Sequence, residues 1–220
     1  MSPLAFSTHR RTFLSRLFLG CAAWPIPAAF AARRVPTPSQ TEGPFYPDRL
    51  PLDTDNDLVR IQPSESDAAG TVTWLQGRIL DARGRAVRNA TVEIWQCDQN
   101  GAYLHSGSGQ ADRRDPGFQG FGRFVTGSRG EYLFRTIRPV PYPGRTPHIH
   151  FAVKAPGVER LTTQCYVEGD PGNPTDSVWK SIGDARKRAA VTVPFRPVRR
   201  ARHREYQARF DVVLGWTPEA

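Results

Sequence analysis

Trp74-Leu-Gln-Gly-Arg-Ile-Leu80, the turn Asp81-Ala-Arg-Gly84 and Ala90-Thr-Val-Glu-Ile-Trp95 form a strand-turn-strand pattern that decides the fold class. Apolar and polar residues alternate in the two flanking runs, and β-branched residues are frequent in the second, which is typical of half-buried strands. Four further runs have the same character: residues 131–137, 148–153, 161–167 and 210–214. The sequence therefore predicts an all-β chain.

Turn residues separate these predicted strands. The chain contains 19 glycines and 20 prolines, and most of them lie between the apolar runs. Residues 37–57 read as an ordered but irregular arm, residues 106–121 form the longest loop, and only residues 176–190 suggest a short helix. We predict a single antiparallel or mixed β-sandwich domain, residues 35–220, with long loops that carry function.

Residues 1–34 have the composition of an export signal. They contain the twin-arginine pattern Arg10-Arg-Thr-Phe-Leu14, an uncharged and mostly apolar stretch, and a small-residue cleavage site around Ala31. The apolar stretch is short and interrupted by two prolines, so we expect no stable membrane span. We expect a twin-arginine-type signal peptide and a periplasmic or extracellular protein; a disordered basic N-terminus is the alternative.

Three cysteines bear on the same expectation. Cys21 lies within residues 1–34 and leaves lipoprotein anchoring as a minor alternative. Export would permit a disulfide between Cys97 and Cys165, whereas their strand-like surroundings favour two buried free thiols equally well. Their spacing matches no zinc motif.

The net charge does not indicate a nucleic-acid partner. Residues 1–34 hold five arginines and no acidic residue, so the remainder has 25 basic and 21 acidic residues and a formal charge of +4 instead of +9. Residues 186–204 contain eight Lys or Arg and no acid, but they have a single aromatic residue, Phe195, and lack helical periodicity. We interpret this basic segment as a solvated loop and strand edge.

The segment Tyr142-Pro-Gly-Arg-Thr-Pro-His-Ile-His150 concentrates the chemistry of the chain. Side chains two residues apart on a strand share a face, so His148 and His150 could bind one ion, although such a pair alone is more often structural. Tyr103 and Tyr142 add phenols, which bind metals only as phenolates and therefore favour a strongly Lewis-acidic ion such as Fe(III). For either tyrosine alone, a packed aromatic ring with a hydrogen-bonded hydroxyl is the competing interpretation.

The chain resembles the intradiol ring-cleavage dioxygenases, the family of catechol and protocatechuate 3,4-dioxygenases, over about residues 41–175. The matching segments are Thr41-Glu-Gly-Pro-Phe-Tyr-Pro47, Asp55-Asn-Asp-Leu58, Gly77-Arg-Ile-Leu-Asp81, Val92-Glu-Ile-Trp-Gln96, Gly101-Ala-Tyr103, Arg145-Thr-Pro-His-Ile-His-Phe151, Thr163-Gln164 and Gly169-Asp-Pro171. Only six positions separate Tyr142 from His148, and this short gap resembles the compact, often exported branch.

The resemblance implies a β-sandwich with a non-haem Fe(III) centre. Its ligands would be a tyrosinate that stays bound, an axial tyrosinate that leaves when substrate binds, and two imidazoles: Tyr103, Tyr142, His148 and His150. Arg145 would lie beside the substrate ring, Gln164 near that arginine, and Tyr46 at the mouth of the substrate pocket.

The implied activity is cleavage of a catechol-type ring by O2 between its two hydroxylated carbons, giving a cis,cis-muconate-type product. The partners are then a small catechol-type aromatic and O2; a homo-oligomer is compatible with the sequence. Arg113 or Arg123 could pair with a substrate carboxylate. One rival reading is a non-catalytic transthyretin-like or carbohydrate-binding β-sandwich module, and another is a zinc hydrolase that uses both histidines with Asp170.

Overall fold

The computed structural model describes residues 34–61, 67–199 and 203–216. They belong to one compact unit, Ala32–Ala220. The predicted signal peptide lies outside the described residues, apart from Arg34. Within the described ranges, no helix is long and apolar enough to cross a membrane.

Most of the regular secondary structure in the described residues is β-strand. The strands are β1 Val72–Leu80, β2 Thr91–Trp95, β3 Phe121–Val125, β4 Glu131–Ile137, β5 His148–Lys154, β6 Leu161–Val167, β7 Thr192–Val193, β8 Phe195–Pro197, β9 Tyr206–Arg209 and β10 Val212–Val213, and two short helices are α1 Ser177–Lys180 and α2 Ala185–Val191. The predicted bounds of β4 and β6 agree with the structure.

The strands form two five-stranded sheets. In the first sheet, β4 pairs antiparallel with β1, β9 and β10 pair parallel with β1, and β8 extends the sheet beyond β9. The second sheet has the order β3-β2-β5-β6-β7, antiparallel except for the parallel pair β6 and β7. The prediction of a mixed, two-sheet β-architecture is confirmed.

The main core lies between the two sheets. Ile149, Phe151 and Val153 alternate along β5 and are buried against residues of the first sheet such as Leu75 and Phe134. Each such side chain contributes about 2–3 kcal/mol by leaving water. This apolar face fixes the register of β5, because a slip of one residue would turn the intervening histidines inward.

Some elements differ from the sequence-based expectation. β3 begins at the end of the predicted long loop. The basic segment was predicted to be a solvated loop and strand edge, but it also contains most of α2, in addition to β7 and β8. Two short helices, α1 and α2, occupy the segment for which one helix was predicted. Asp184 caps the N-terminus of α2 by accepting a hydrogen bond from the Arg186 amide at 2.7 Å. Cys97 and Cys165 are buried free thiols, so the structure excludes their disulfide.

The arm is ordered and irregular, as predicted, and it bridges the two sheets. The Thr37 amide donates to the carbonyl of Val213 at 2.9 Å, and the Gln40 amide donates to that of Thr162 at 2.8 Å. Further along, Phe45 and Tyr46 pack on the face of the second sheet that points away from the main core. The arm therefore covers the outer face of β5.

Candidate metal centre

The two predicted histidines lie side by side on the outer face of β5. In the second sheet, His150 is the cross-strand neighbour of Trp95 on β2 and of Gln164 on β6, and His148 is the neighbour of Tyr166. Both histidines are only 1–2% exposed. Their burial on an outward face results from the arm and the loops that precede β3 and β5, which form a second apolar cluster over it.

Two phenols and two imidazoles converge at this position. The Nε2 atoms of His148 and His150 are 3.1 Å apart, and the Tyr103 hydroxyl is 3.4 Å from Nε2 of His148. The Tyr142 ring lies at 5.5 Å from the Tyr103 ring and at 5.6 Å from that of His148, between ring centroids. Two nitrogens that share one ion at about 2.1 Å lie about 3.0–3.4 Å apart, so the spacing fits a common ion.

Each imidazole is held in a defined orientation. Nδ1 of His148 is 2.6 Å from the carbonyl oxygen of Thr146, so Nδ1 carries the proton and Nε2 keeps its lone pair for an ion. The ring of His150 stacks on Trp95 with a centroid distance of 4.8 Å and an interplanar angle of 11°. Hydrogen bonding thus orients the first histidine, and aromatic packing orients the second.

The electrostatics fit cation ligation. Burial, and to a smaller extent the positive charge of Arg145, lower the pKa of His148 to about 4. Burial, His148 and Arg145 hold the pKa of His150 well below its usual value, so both rings are neutral near pH 7, as metal binding requires. Burial raises the pKa of Tyr103 and Tyr142, so only a strongly charged ion would deprotonate these phenols.

Arg145 is fixed at the side of the four donors. Its Nε donates to Asp176 at 2.8 Å, its Nη2 donates to Oε1 of Gln164 at 2.6 Å, and its Nη1 donates to the Tyr142 hydroxyl at 3.4 Å. Gln164 is anchored in turn, because its Nε2 donates to the Thr41 carbonyl at 3.1 Å. The structure thus brings six of the seven predicted site residues into one contiguous group.

Tyr46, the seventh, lies one ring further away. Its ring packs edge-on against Trp95 at 5.0 Å, and its hydroxyl donates to Glu93 at 3.1 Å. The same carboxylate accepts from Arg123 at 2.8 Å, so this arginine already has an anionic partner. Arg113 is exposed and donates to the Asn100 carbonyl at 3.2 Å.

A zinc site would need a Cys, His or carboxylate ligand beside the two histidines, and none of the described residues provides one. Asp170 accepts hydrogen bonds from the Thr146 hydroxyl and the Gly172 amide at 3.2 and 2.8 Å, and it is not among the converging donors. In the part of the chain that the structure describes, no three His, Cys, Asp or Glu side chains form a metal-binding group. The donors are phenols and imidazoles.

Two clefts open beside the tyrosines. One has a volume of about 190 Å³ and is lined by Phe45, Gly101, Tyr103, Ser108, Gln110, Tyr142 and Pro143. The other has a volume of about 380 Å³ and is lined by Asp48, Arg49, Tyr103, Leu104, His105, Ser106, Ala111 and Arg114. The predicted long loop contributes residues to both clefts.

Three supporting residues escaped the sequence reasoning: Trp95, Thr146 and Asp176. Trp95 lies in a quoted motif, but only the pairing of β2 with β5 shows that it stacks on His150. Thr146 acts through its backbone carbonyl, which leaves no sequence signal. Asp176 is recognisable as a helix N-cap, but its ion pair with Arg145 spans 31 positions.

The comparisons with known proteins agree with this fold. The family model described as "Dioxygenase" matches residues 41–215. The chain is 31% identical over 197 residues to a hydroxyquinol 1,2-dioxygenase from Corynebacterium glutamicum, covering 79% of this chain and 62% of that protein. It is 36% identical over 139 residues to a protocatechuate 3,4-dioxygenase beta chain from Burkholderia cepacia, covering 60% of this chain and 59% of that one.

Among solved structures, the dioxygenase domain of a dioxygenase carbohydrate-binding protein fusion from Streptomyces sp. SirexAA-E superposes with a TM-score of 0.63. It is 31% identical, and the match covers 83% of this chain and all of that domain. Fold and site define a β-sandwich with a buried phenol–imidazole centre. The chain belongs to the intradiol ring-cleavage dioxygenase family. It spans less than two thirds of the length of the two curated relatives above.

Proposed function

We propose that this protein is a non-haem Fe(III) dioxygenase of aromatic catabolism. It cleaves a catechol-type ring between its two hydroxylated carbons with O2 and gives a cis,cis-muconate-type product. The observation that carries the proposal is the convergence of the Tyr103 hydroxyl with the Nε2 atoms of His148 and His150, within 3.1–3.4 Å. Family membership supports it.

The ligands are Tyr103, Tyr142, His148 and His150. These four side chains would hold Fe(III), which would supply the Lewis acidity that activates a catecholate for reaction with O2. The neutral imidazoles need no deprotonation, whereas each phenol must lose a proton, which a ferric ion favours.

The two tyrosines have different surroundings, which supports different roles. Tyr103 is 3% exposed, and its ring stacks on Phe45 at 5.0 Å, so it is the ligand that stays. Tyr142 is less buried and lies in a turn beside Gly144, which has φ +81°. A displaced Tyr142 phenolate can accept a proton from an incoming catechol hydroxyl.

Arg145 and Gln164 act on the substrate side. The guanidinium donates to the Tyr142 hydroxyl, so it would lie beside a catechol that took the place of the Tyr142 phenol. There it stabilises negative charge on the ring, in a buried setting where such stabilisation is strong. Gln164 holds the guanidinium through Nη2 and thereby restricts its rotation.

The decisive experiment measures oxygen consumption and product absorbance against catechol, protocatechuate, hydroxyquinol and chlorocatechols. We expect iron-loaded protein with a visible tyrosinate-to-iron charge-transfer band and activity on at least one substrate. A colourless, iron-free protein after iron-replete expression would refute the proposal. The substrate that reacts fastest identifies the ring substituent.

We also propose that residues 1–34 direct export as a twin-arginine signal, as in the compact, exported branch. Twin-arginine transport moves folded proteins, so iron can be loaded before transport. Cell fractionation should place the wild-type protein outside the cytoplasm. A variant with Arg10→Lys and Arg11→Lys should stay inside, and equal export of both proteins would exclude the signal.

A further inference from the structure

Asp176 contacts both halves of the candidate centre. Its side chain is fully buried, although it carries a carboxylate. One oxygen, Oδ2, accepts from Nε of Arg145 at 2.8 Å and from the Thr146 amide at 2.9 Å. The other, Oδ1, accepts from the Trp179 amide at 2.8 Å and begins α1.

We infer that Asp176 is a positioning residue that holds Arg145 and, through Thr146, His148 in their working orientations. This inference rests on the proposed function and adds a residue to it. The anchor at Nε leaves Nη1 and Nη2 directed at Tyr142 and Gln164, where a free arginine would sample many rotamers. The anchor at the Thr146 amide holds the residue whose carbonyl accepts from Nδ1 of His148.

The charge of Asp176 has a second consequence. Burial raises the pKa of Asp176. The hydrogen bonds from the Trp179 and Thr146 amides and the ion pair with Arg145 together lower it by more, so the pKa lies below its usual value. The carboxylate is therefore ionised at neutral pH and offsets the positive charge of Arg145. This reduces the repulsion between Arg145 and a ferric ion on the neighbouring histidines.

Asparagine cannot replace this carboxylate, because all three partners are N–H donors. If the amide oxygen of an asparagine at this position faced Arg145 and Thr146, its NH2 group would face the Trp179 amide. In the opposite orientation, its NH2 group would face Arg145 and Thr146. One side therefore always loses its acceptor, which makes Asp176→Asn an informative near-isosteric change.

Asp184 provides a matched control. It begins α2 in the same way, by accepting from the Arg186 and Lys187 amides at 2.7 and 3.4 Å, and these bonds do not link it to the donor group. The test compares wild-type protein, Asp176→Asn and Asp184→Asn by kcat and KM per bound iron, by iron affinity in chelator competition, and by unfolding midpoint. If Asp176→Asn does not fold, Asp176→Glu keeps the charge but displaces it by one methylene.

We expect Asp176→Asn, or Asp176→Glu in its place, to lower kcat per bound iron at least tenfold with a small change in KM, and to weaken iron affinity about tenfold or more. With Arg145→Gln already present, adding Asp176→Asn should lower kcat per bound iron much less than it does in the wild-type background, because only the contact through Thr146 to His148 is left to lose. Asp184→Asn should keep wild-type kinetics and iron affinity.

Wild-type kinetics and iron affinity in the Asp176 variant would refute the inference, as would a kcat loss that multiplies with that of Arg145→Gln. A lower unfolding midpoint with unchanged kinetics would reduce Asp176 to a structural cap and also refute it. A wild-type protein that is inactive on the whole catechol panel would refute the proposed function instead. The two failures are therefore distinct.

Discussion

The two faces of β5 are equally buried but chemically opposite. Ile149 and Phe151 point into the core between the sheets and are 0% exposed. His148 and His150 point to the other face and are 1–2% exposed. The first sheet covers the inner face of β5, whereas loops and the arm cover its outer face.

This difference shows how one strand serves both stability and chemistry. The apolar face stabilises the fold whatever lies opposite, since burial of apolar area is not directional. The polar face carries a desolvation penalty, visible in the lowered pKa values of both histidines. We therefore expect changes on the outer face to affect metal binding and activity, and changes on the inner face to affect stability.

The largest expected effect is on the outer face. His150→Ala should remove an iron ligand and lower the activity per protein by at least about a thousandfold, roughly 4 kcal/mol in transition-state stabilisation. Iron content and the charge-transfer band report the loss directly. His203→Ala is the control, because this histidine is exposed and its substitution should leave iron content, colour and activity unchanged. Full colour and activity in His150→Ala would refute the assignment of metal binding to the outer face of β5.

A change on the inner face should act on stability instead. Phe151 packs against Phe210 with a centroid distance of 4.9 Å, so Phe151→Ala should leave a cavity and cost about 3–5 kcal/mol of unfolding free energy. Denaturant unfolding measures it, and the protein that remains folded should bind iron normally. Leu133→Ala, at a 36% exposed position on β4, is the control and should cost much less. Loss of iron in folded Phe151→Ala protein would mean that the faces are coupled.

The pH dependence of the iron-free protein tests the desolvation of the outer face. The pKa of His148 is about 4 in the folded protein and near 6.5 when unfolded, so the unfolded state binds more protons between these values. Stability should therefore fall as the pH drops from 6.5 towards 4, by about 3 kcal/mol from this residue. Iron-free His148→Gln should show a shallower decline, and equal slopes would contradict the assignment.

The smallest expected effect is at Tyr46, behind the histidine pair. Its hydroxyl bonds to Glu93, so Tyr46→Phe should cost about 1 kcal/mol of stability and change KM less than threefold. Phe45→Leu is the comparison. Phe45 lines the smaller of the two clefts, so its substitution should raise KM more than Tyr46→Phe does. A KM increase above tenfold in Tyr46→Phe would instead support its predicted place at the pocket mouth.

Local patterns in the sequence predicted much of the architecture. The alternation of side-chain types in β4, β5 and β6 indicated strands, because a period of two places successive side chains on opposite faces of a strand. The same period predicted that His148 and His150 share one face of their strand. Tyr103 and Tyr142 joined them through motif resemblance, since no local pattern relates residues so far apart in the chain.

Other features depended on contacts between distant segments. β8 and β9 were missed because strands of three and four residues that contain arginine, glutamine or proline have little apolar content, and the pairing of β9 with β1 stabilises them. The free thiols were undecided because Cys97 and Cys165 belong to different clusters that only the folded sheets separate.

By itself, the sequence determined the class of the fold, the pairing of two histidines on one strand face and the types of donor available, because these follow from local periodicity and side-chain chemistry. Only the tertiary structure decided that the outer face is buried, that Trp95 orients His150, and that Asp176 anchors Arg145. These contacts join residues from different elements. Their distances and desolvation depend on how the sheets, loops and arm pack.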